Sequence, residues 1–285
     1  MSAPTAWWLW NWSAESQAAL FHELRHYSSF IALLFVLYVI AGGIVLRGDL
    51  RATPLVNAGF LGLGAVLANF IGTTGASMVL IRPVLRINND REHTAHLPVF
   101  FLIVVSNLGG LLTPLGDPPL FLGSLNGVSF GWTLRLWPQW LVGVGLSLAA
   151  FLIVDWRAWR REPAAALKME GLHFHRLRIR GRINVLLIAL VMICVLLESP
   201  RVGAAAGQWL GRDLTLLWPW CDMVMIALAL ASITTTHRER RAENRFSWSP
   251  IVEVIIVFAG IFVTMVPAIH LLQIHGPALG LNAPW

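Results

Sequence analysis

The chain has 285 residues, 56% of them hydrophobic and only 13% charged, about half the charged share of a soluble globular domain. A mean hydropathy of +0.67 points to an integral membrane protein. The net charge of +6 sits on basic residues placed between apolar runs, which argues against a nucleic-acid partner and for a lipid bilayer with anionic headgroups.

Residues 1–28 form a lead-in without the basic region of a signal peptide, and its WWLWNW at 7–12 reads as an interfacial belt. Candidate membrane spans follow at 29–46, 97–113, 136–154, 184–198, 214–233 and 250–272, of which 184–198 is short for a span unless its flanks snorkel or it tilts. Loop 155–183 holds eight Arg or Lys and loop 234–250 holds four, so both are expected on the cytoplasmic face. Working backward, 82–96 is cytoplasmic as well.

A seventh apolar stretch, 55–81, is flanked by Arg47 and Arg51 on one side and Arg82 and Arg86 on the other. Both flanks therefore prefer one face. Two half-depth helices with a turn account for its 27 residues, and NFIGTTGAS supplies the glycines for the turn. This predicts a re-entrant hairpin with its tip near Gly72–Ser77, carrying Asn69, Gly72, Thr73, Thr74 and Ser77. The alternative for the same residues is a small-residue patch for helix packing.

Residues 106–123, SNLGGLLTPLGDPPLFLG, cannot continue a helix through Gly109, Gly110, Pro114, Gly116, Pro118 and Pro119. Unwound backbone at membrane depth exposes carbonyls, and Asn107, Thr113 and Asp117 add side-chain oxygens. Such a set suits a hard cation such as Na⁺. Asp117 is costly in lipid, so a functional or paired role is the default.

Other polar groups have plainer readings. Asp222 caps a helix start, Glu253 is an interfacial anion, and His173 and His175 lie in a basic loop without metal-ligand spacing. His270 and His275 could titrate, but nothing places them at the site. Cys194 and Cys221 read as two small core residues rather than a disulfide. No catalytic constellation is visible, so an enzyme is not expected, and no cofactor is expected beyond Na⁺ and H⁺ as transported or coupling ions. VIAGGIV (39–45) and VFAGIFV (257–263) fall in helices of opposite predicted direction, as an inverted repeat would leave them.

GTTGASM followed by SNLGGLLTPLGDPPLFLG resembles the ion-transporter superfamily of NhaD-type sodium/proton antiporters, ArsB-type pumps and citrate or dicarboxylate carriers. It looks most like the branch described as citrate transporters or sodium:proton antiporters. The resemblance covers roughly residues 28–272. It implies an all-α integral membrane fold: about six transmembrane helices, one re-entrant hairpin and one unwound helix within an inverted-repeat transporter. Domains expected on that basis are the first repeat at 29–154, the basic loop at 155–183, linking helices at 184–249 and the start of a second repeat at 250–285.

The function implied is a cation-coupled secondary transporter of a bacterial-type inner membrane. Gly72, Thr73 and Thr74 stand where carboxylate carriers have Ser-Asn-Thr, and Asp117 replaces a small hydroxyl residue. Both departures favour sodium/proton antiport over citrate or another carboxylate. A non-transporting truncated or accessory membrane subunit is the other alternative. Gly72 follows Ala41 by 31 residues, and the same offset from Ala259 falls past Trp285. The expectation is therefore a fragment of a longer transporter, or a homodimer in which a second copy completes the site.

Overall fold

The computed structural model describes residues 14–125, 128–163, 175–198 and 220–275. The Trp-rich lead-in at 7–12 and His173 lie outside those residues, as do the side chains of Pro118, His175, His270 and His275.

Helices dominate. The first, α1 (Ala14–Ala41), stops at the Gly42-Gly43 pair, five residues short of the expected end. The chain then enters a strand, β1 (Val45–Asp49), which pairs antiparallel with β2 (His175–Arg180). Sequence reading missed this ribbon. Its second strand alternates Arg176, Arg178 and Arg180 with Leu177 and Ile179 inside a loop that charge alone defines.

Next comes α2 (Pro54–Ile87), whose helical backbone is broken once, at Gly72. Thr53 caps its start and Pro54 occupies the first turn, where a missing N–H costs nothing. The chain doubles back at Gly72. Asn57 and Asn88 exchange side-chain hydrogen bonds of 2.9 and 2.8 Å, although 31 residues of straight helix would hold them about 46 Å apart. The stretch is thus a helical hairpin. Its arms are 54–71 and 73–87: the turn falls late in the stretch expected at 55–81, and the second arm continues past Arg82 and Pro83 to Ile87.

A short helix α3 (His96–Phe101) passes into a π-helical turn (Leu102–Asn107) and a 3₁₀ turn (Leu108–Gly110). Regular structure is then lost until α4 (Pro118–Leu125). After the single turn α5 (Phe130–Thr133) runs α6 (Trp137–Trp159). Beyond β2 lie α7 (Arg182–Glu198), α8 (Trp220–Thr235), α9 (Arg238–Glu243) and α10 (Ser249–His275).

Among the described residues, four helical stretches are long and apolar enough to cross a membrane: Leu24–Ala41, Pro54–Ile87, Gly131–Trp159 and Ser249–Pro267. The segments expected at 97–113, 184–198 and 214–233 appear as shorter apolar helices, His96–Gly110, Arg182–Leu197 and Trp220–Thr235. Residues 214–219 lie outside the described part.

The core is built around α1. Phe30 is fully buried and its ring meets those of Phe121, Phe258 and Phe262 at 4.7–5.8 Å. Tyr27 donates to the Ile255 carbonyl (2.8 Å) and Tyr38 to that of Ser247 (2.7 Å), fastening α10 along α1. Ser29 donates to Asp222 (2.7 Å), fastening the first turn of α8. Cys194 and Cys221 form no disulfide.

Candidate functional site

The hairpin tip lands on the irregular stretch 108–117. Gly72 has φ 74° and ψ 157°, a conformation essentially reserved for glycine, and a Cβ there would sit 3.4 Å from the Leu115 carbonyl oxygen. One residue on, the Thr73 N–H donates to the Gly116 carbonyl at 3.2 Å. The two polar stretches named from the sequence therefore touch.

Asn69 does most of the fastening. Its amide donates to the carbonyls of Ala65 (2.9 Å) and Gly109 (2.8 Å), while its side-chain oxygen accepts the Leu112 N–H at 3.0 Å. Its backbone carbonyl accepts the Thr113 hydroxyl. Both side chains are buried, so these bonds replace the water that a broken helix would otherwise need.

Gly110 and Gly116 face each other backbone to backbone. A Cβ on Gly110 would lie 2.5 Å from the Gly116 oxygen, and one on Gly109 would lie 2.8 Å from Cα of Ala65. A side chain at Gly109 pushes this stretch off the hairpin, and one at Gly110 or Gly116 parts the stretch's own two limbs. Ser77 on the second arm shares a 2.8 Å hydrogen bond with Ser106.

Three of the expected ligand residues have different surroundings. The Thr113 hydroxyl is committed as a donor to the hairpin. Asn107 is exposed and its side chain makes no hydrogen bond among the described residues. Asp117 is half-buried with its carboxylate likewise unpartnered among them, while its backbone oxygen accepts the N–H groups of Leu120 and Phe121 at 3.1 and 3.2 Å. Thr74 is exposed and lines a cavity of about 30 Å³ with Leu37, Tyr38, Ile71, Gly72 and Pro250.

Two groups escaped sequence reading. Trp140 on α6 donates its indole N–H to the Gly109 carbonyl at 3.0 Å, doubling the hold on that oxygen. At the far end of the hairpin a buried polar cluster joins its two feet to α6. Asp155, fully buried, accepts from Arg91 (2.6 Å), Asn57 (3.0 Å) and the Nε2 side of His96 (2.9 Å). Arg91 also donates to Asn88 (3.0 Å) and to the Ala52 carbonyl (3.3 Å). Glu162 accepts the backbone N–H groups of Glu92 and His93 at 2.9 Å each. The available signal was an asparagine, Asn57, near the start of an apolar run; Asp155 was hidden by its place among loop charges.

Searches of curated proteins and of solved structures found no match. A family model matches residues 2–280, and on that match the chain belongs to the family described as "Putative citrate transport".

Proposed function

We propose that this protein is a cation-coupled secondary transporter of a bacterial-type inner membrane, with sodium/proton antiport as its reaction. The observation that carries the reading is the seating of the Gly72–Thr73 tip on the Leu115–Gly116 backbone. That contact joins a helix start to an unwound segment, the arrangement by which broken helices expose N–H groups and carbonyls to an ion. The hairpin is re-entrant, with both feet on the cytoplasmic face among Arg47, Arg51, Arg82 and Arg86.

Asp117 is the exchange group. Its carboxylate accepts either H⁺ or Na⁺, and this competition couples the two fluxes. Asn107, Thr113 and unwound carbonyls complete the coordination as the site turns between faces.

The test is reconstitution into vesicles with a pH-sensitive dye inside, pulsed with Na⁺. Sodium-driven proton efflux is expected, and Asp117→Asn should abolish the competition between Na⁺ and H⁺. Unchanged pH-dependent exchange in that variant removes Asp117 from the mechanism.

The family's description favours a second reading, carriage of citrate or a similar carboxylate. Labelled citrate supplied to the same vesicles separates the two: accumulation that needs citrate, with no exchange on Na⁺ alone, establishes the second.

A further inference from the structure

A groove of about 1340 Å³ opens where the ribbon meets α7 and α9. One wall carries Arg178, Arg180 and Arg182, all exposed; the other carries Arg240 with Glu239 and Glu243. His237 lines it as well. Four guanidinium groups against two carboxylates leave the groove net positive. None of Arg178, Arg180, Arg182 and Glu239 forms an ion pair among the described residues, so the charged walls stand apart rather than closing on each other.

The local backbone is built to present these arginines. Gly181 takes φ 100°, and a Cβ there would collide with the Gly43 carbonyl. Only glycine turns the chain there from strand into helix, so that Arg180 ends β2 and Arg182 begins α7. Below the groove, Ile183, Leu186, Leu190 and Ile193 are exposed on α7. Their spacing of three, four and three residues makes a single apolar stripe that starts at the groove's floor.

A cationic mouth continuous with an exposed apolar stripe on a membrane helix matches one class of occupant. We propose that this groove binds an anionic glycerophospholipid, with its phosphate on Arg180 and Arg182 and an acyl chain along Ile183, Leu186, Leu190 and Ile193. Guanidinium forks suit phosphate oxygens better than ammonium groups do. The stripe takes the part of the ligand that a soluble anion lacks. Glu239 and Glu243 stand across the groove and select against a second phosphate.

The experiment is native mass spectrometry of protein extracted from nanodiscs of phosphatidylcholine, phosphatidylethanolamine and phosphatidylglycerol in equal parts. Wild-type protein should retain phosphatidylglycerol roughly thirtyfold over the two zwitterionic lipids, the size expected when two arginines act near a membrane surface. Arg180→Gln with Arg182→Gln should reduce that preference to near parity. Its unfolding midpoint in pure phosphatidylcholine should match wild type, which keeps a folding defect from passing as lost binding.

Equal retention of all three lipids by wild-type protein, or an undiminished preference in the variant, overturns the proposal. So does displacement of the retained lipid by millimolar inorganic phosphate, since the groove would then be a soluble-anion site. Leu186→Glu, which spoils the stripe and leaves the arginines intact, should also lower retention. The outcome is independent of which ion or carboxylate the protein carries.

Discussion

Gly72 shows how much one backbone angle decides. Its φ of 74° with ψ of 157° carries a penalty of about 1–3 kcal/mol for any residue with a side chain. Gly72→Ala should therefore lower stability by about that amount, with a matching fall in the thermal midpoint in detergent. Gly75 is a control. A Cβ there would meet Ala41 Cβ at 3.2 Å, but the φ is ordinary, so Gly75→Ala should cost less.

Glu162 gives a pH test outside the apolar spans. Burial by itself raises its pKa, but the N–H groups of Glu92 and His93, with the Arg91 and His93 charges, outweigh burial and hold it below the usual carboxylate range. A lowered value stabilises the fold above the unfolded carboxylate range, near pH 4.3, and that stabilisation is lost as pH falls through the folded value. Glu162→Gln should flatten the acid limb of a stability-against-pH curve while changing its shape little above about pH 6. An unaltered acid limb would show that Glu162 does not report on folding. The turn glycines of this region were readable because only glycine tolerates such angles; the bond from Asn57 to Asn88 was not, because no local pattern announces a partner 31 residues away.

At the scale of elements, the hairpin is held at both ends by different chemistry. Its tip is held by backbone and amide bonds to the broken helix, and its feet by a buried ion pair, Arg91 with Asp155 at 2.6 Å. Removing one partner of a buried pair strands the other charge, at about 3–5 kcal/mol. Asp155→Ala should lose stability on that scale and, in hydrogen exchange, should loosen residues near 54–57 and 86–91 before the tip. Uniform loosening along the whole hairpin would show that the feet are not a separate fastening. The break at 108–117 was legible from its glycines and prolines. The lengths of the hairpin arms were not, since Arg82 and Arg86 looked like the end of an apolar run but continue one face of a helix.

Across the whole molecule, four segments distant in sequence converge at one end. Asn244 donates to the carbonyls of Gly42 and Ile44 (3.0 and 2.6 Å), Arg82 to that of Glu243 (2.9 Å) and Arg91 to that of Ala52 (3.3 Å). The ribbon brings 175–180 to the same place. Charge counting expects 47–54, 82–96, 155–183 and 234–250 on one face of a membrane; the contacts show that Ala52 meets Arg91, Arg82 meets Glu243, and β1 meets 175–180. What counting could not supply was the means: arginines that looked like solvated loop charges cap backbone carbonyls.

The ribbon also sets an order of events during synthesis. Val45 pairs with Arg180, some 135 residues later. At about 5–20 residues per second, the first strand leaves the ribosome on the order of ten seconds before its partner exists. For that interval its edge is open, and the Gly42-Gly43 junction has nothing to close against. A chaperone or insertase that shields residues 45–49 in that window would protect the nascent chain where it exposes this unpaired strand.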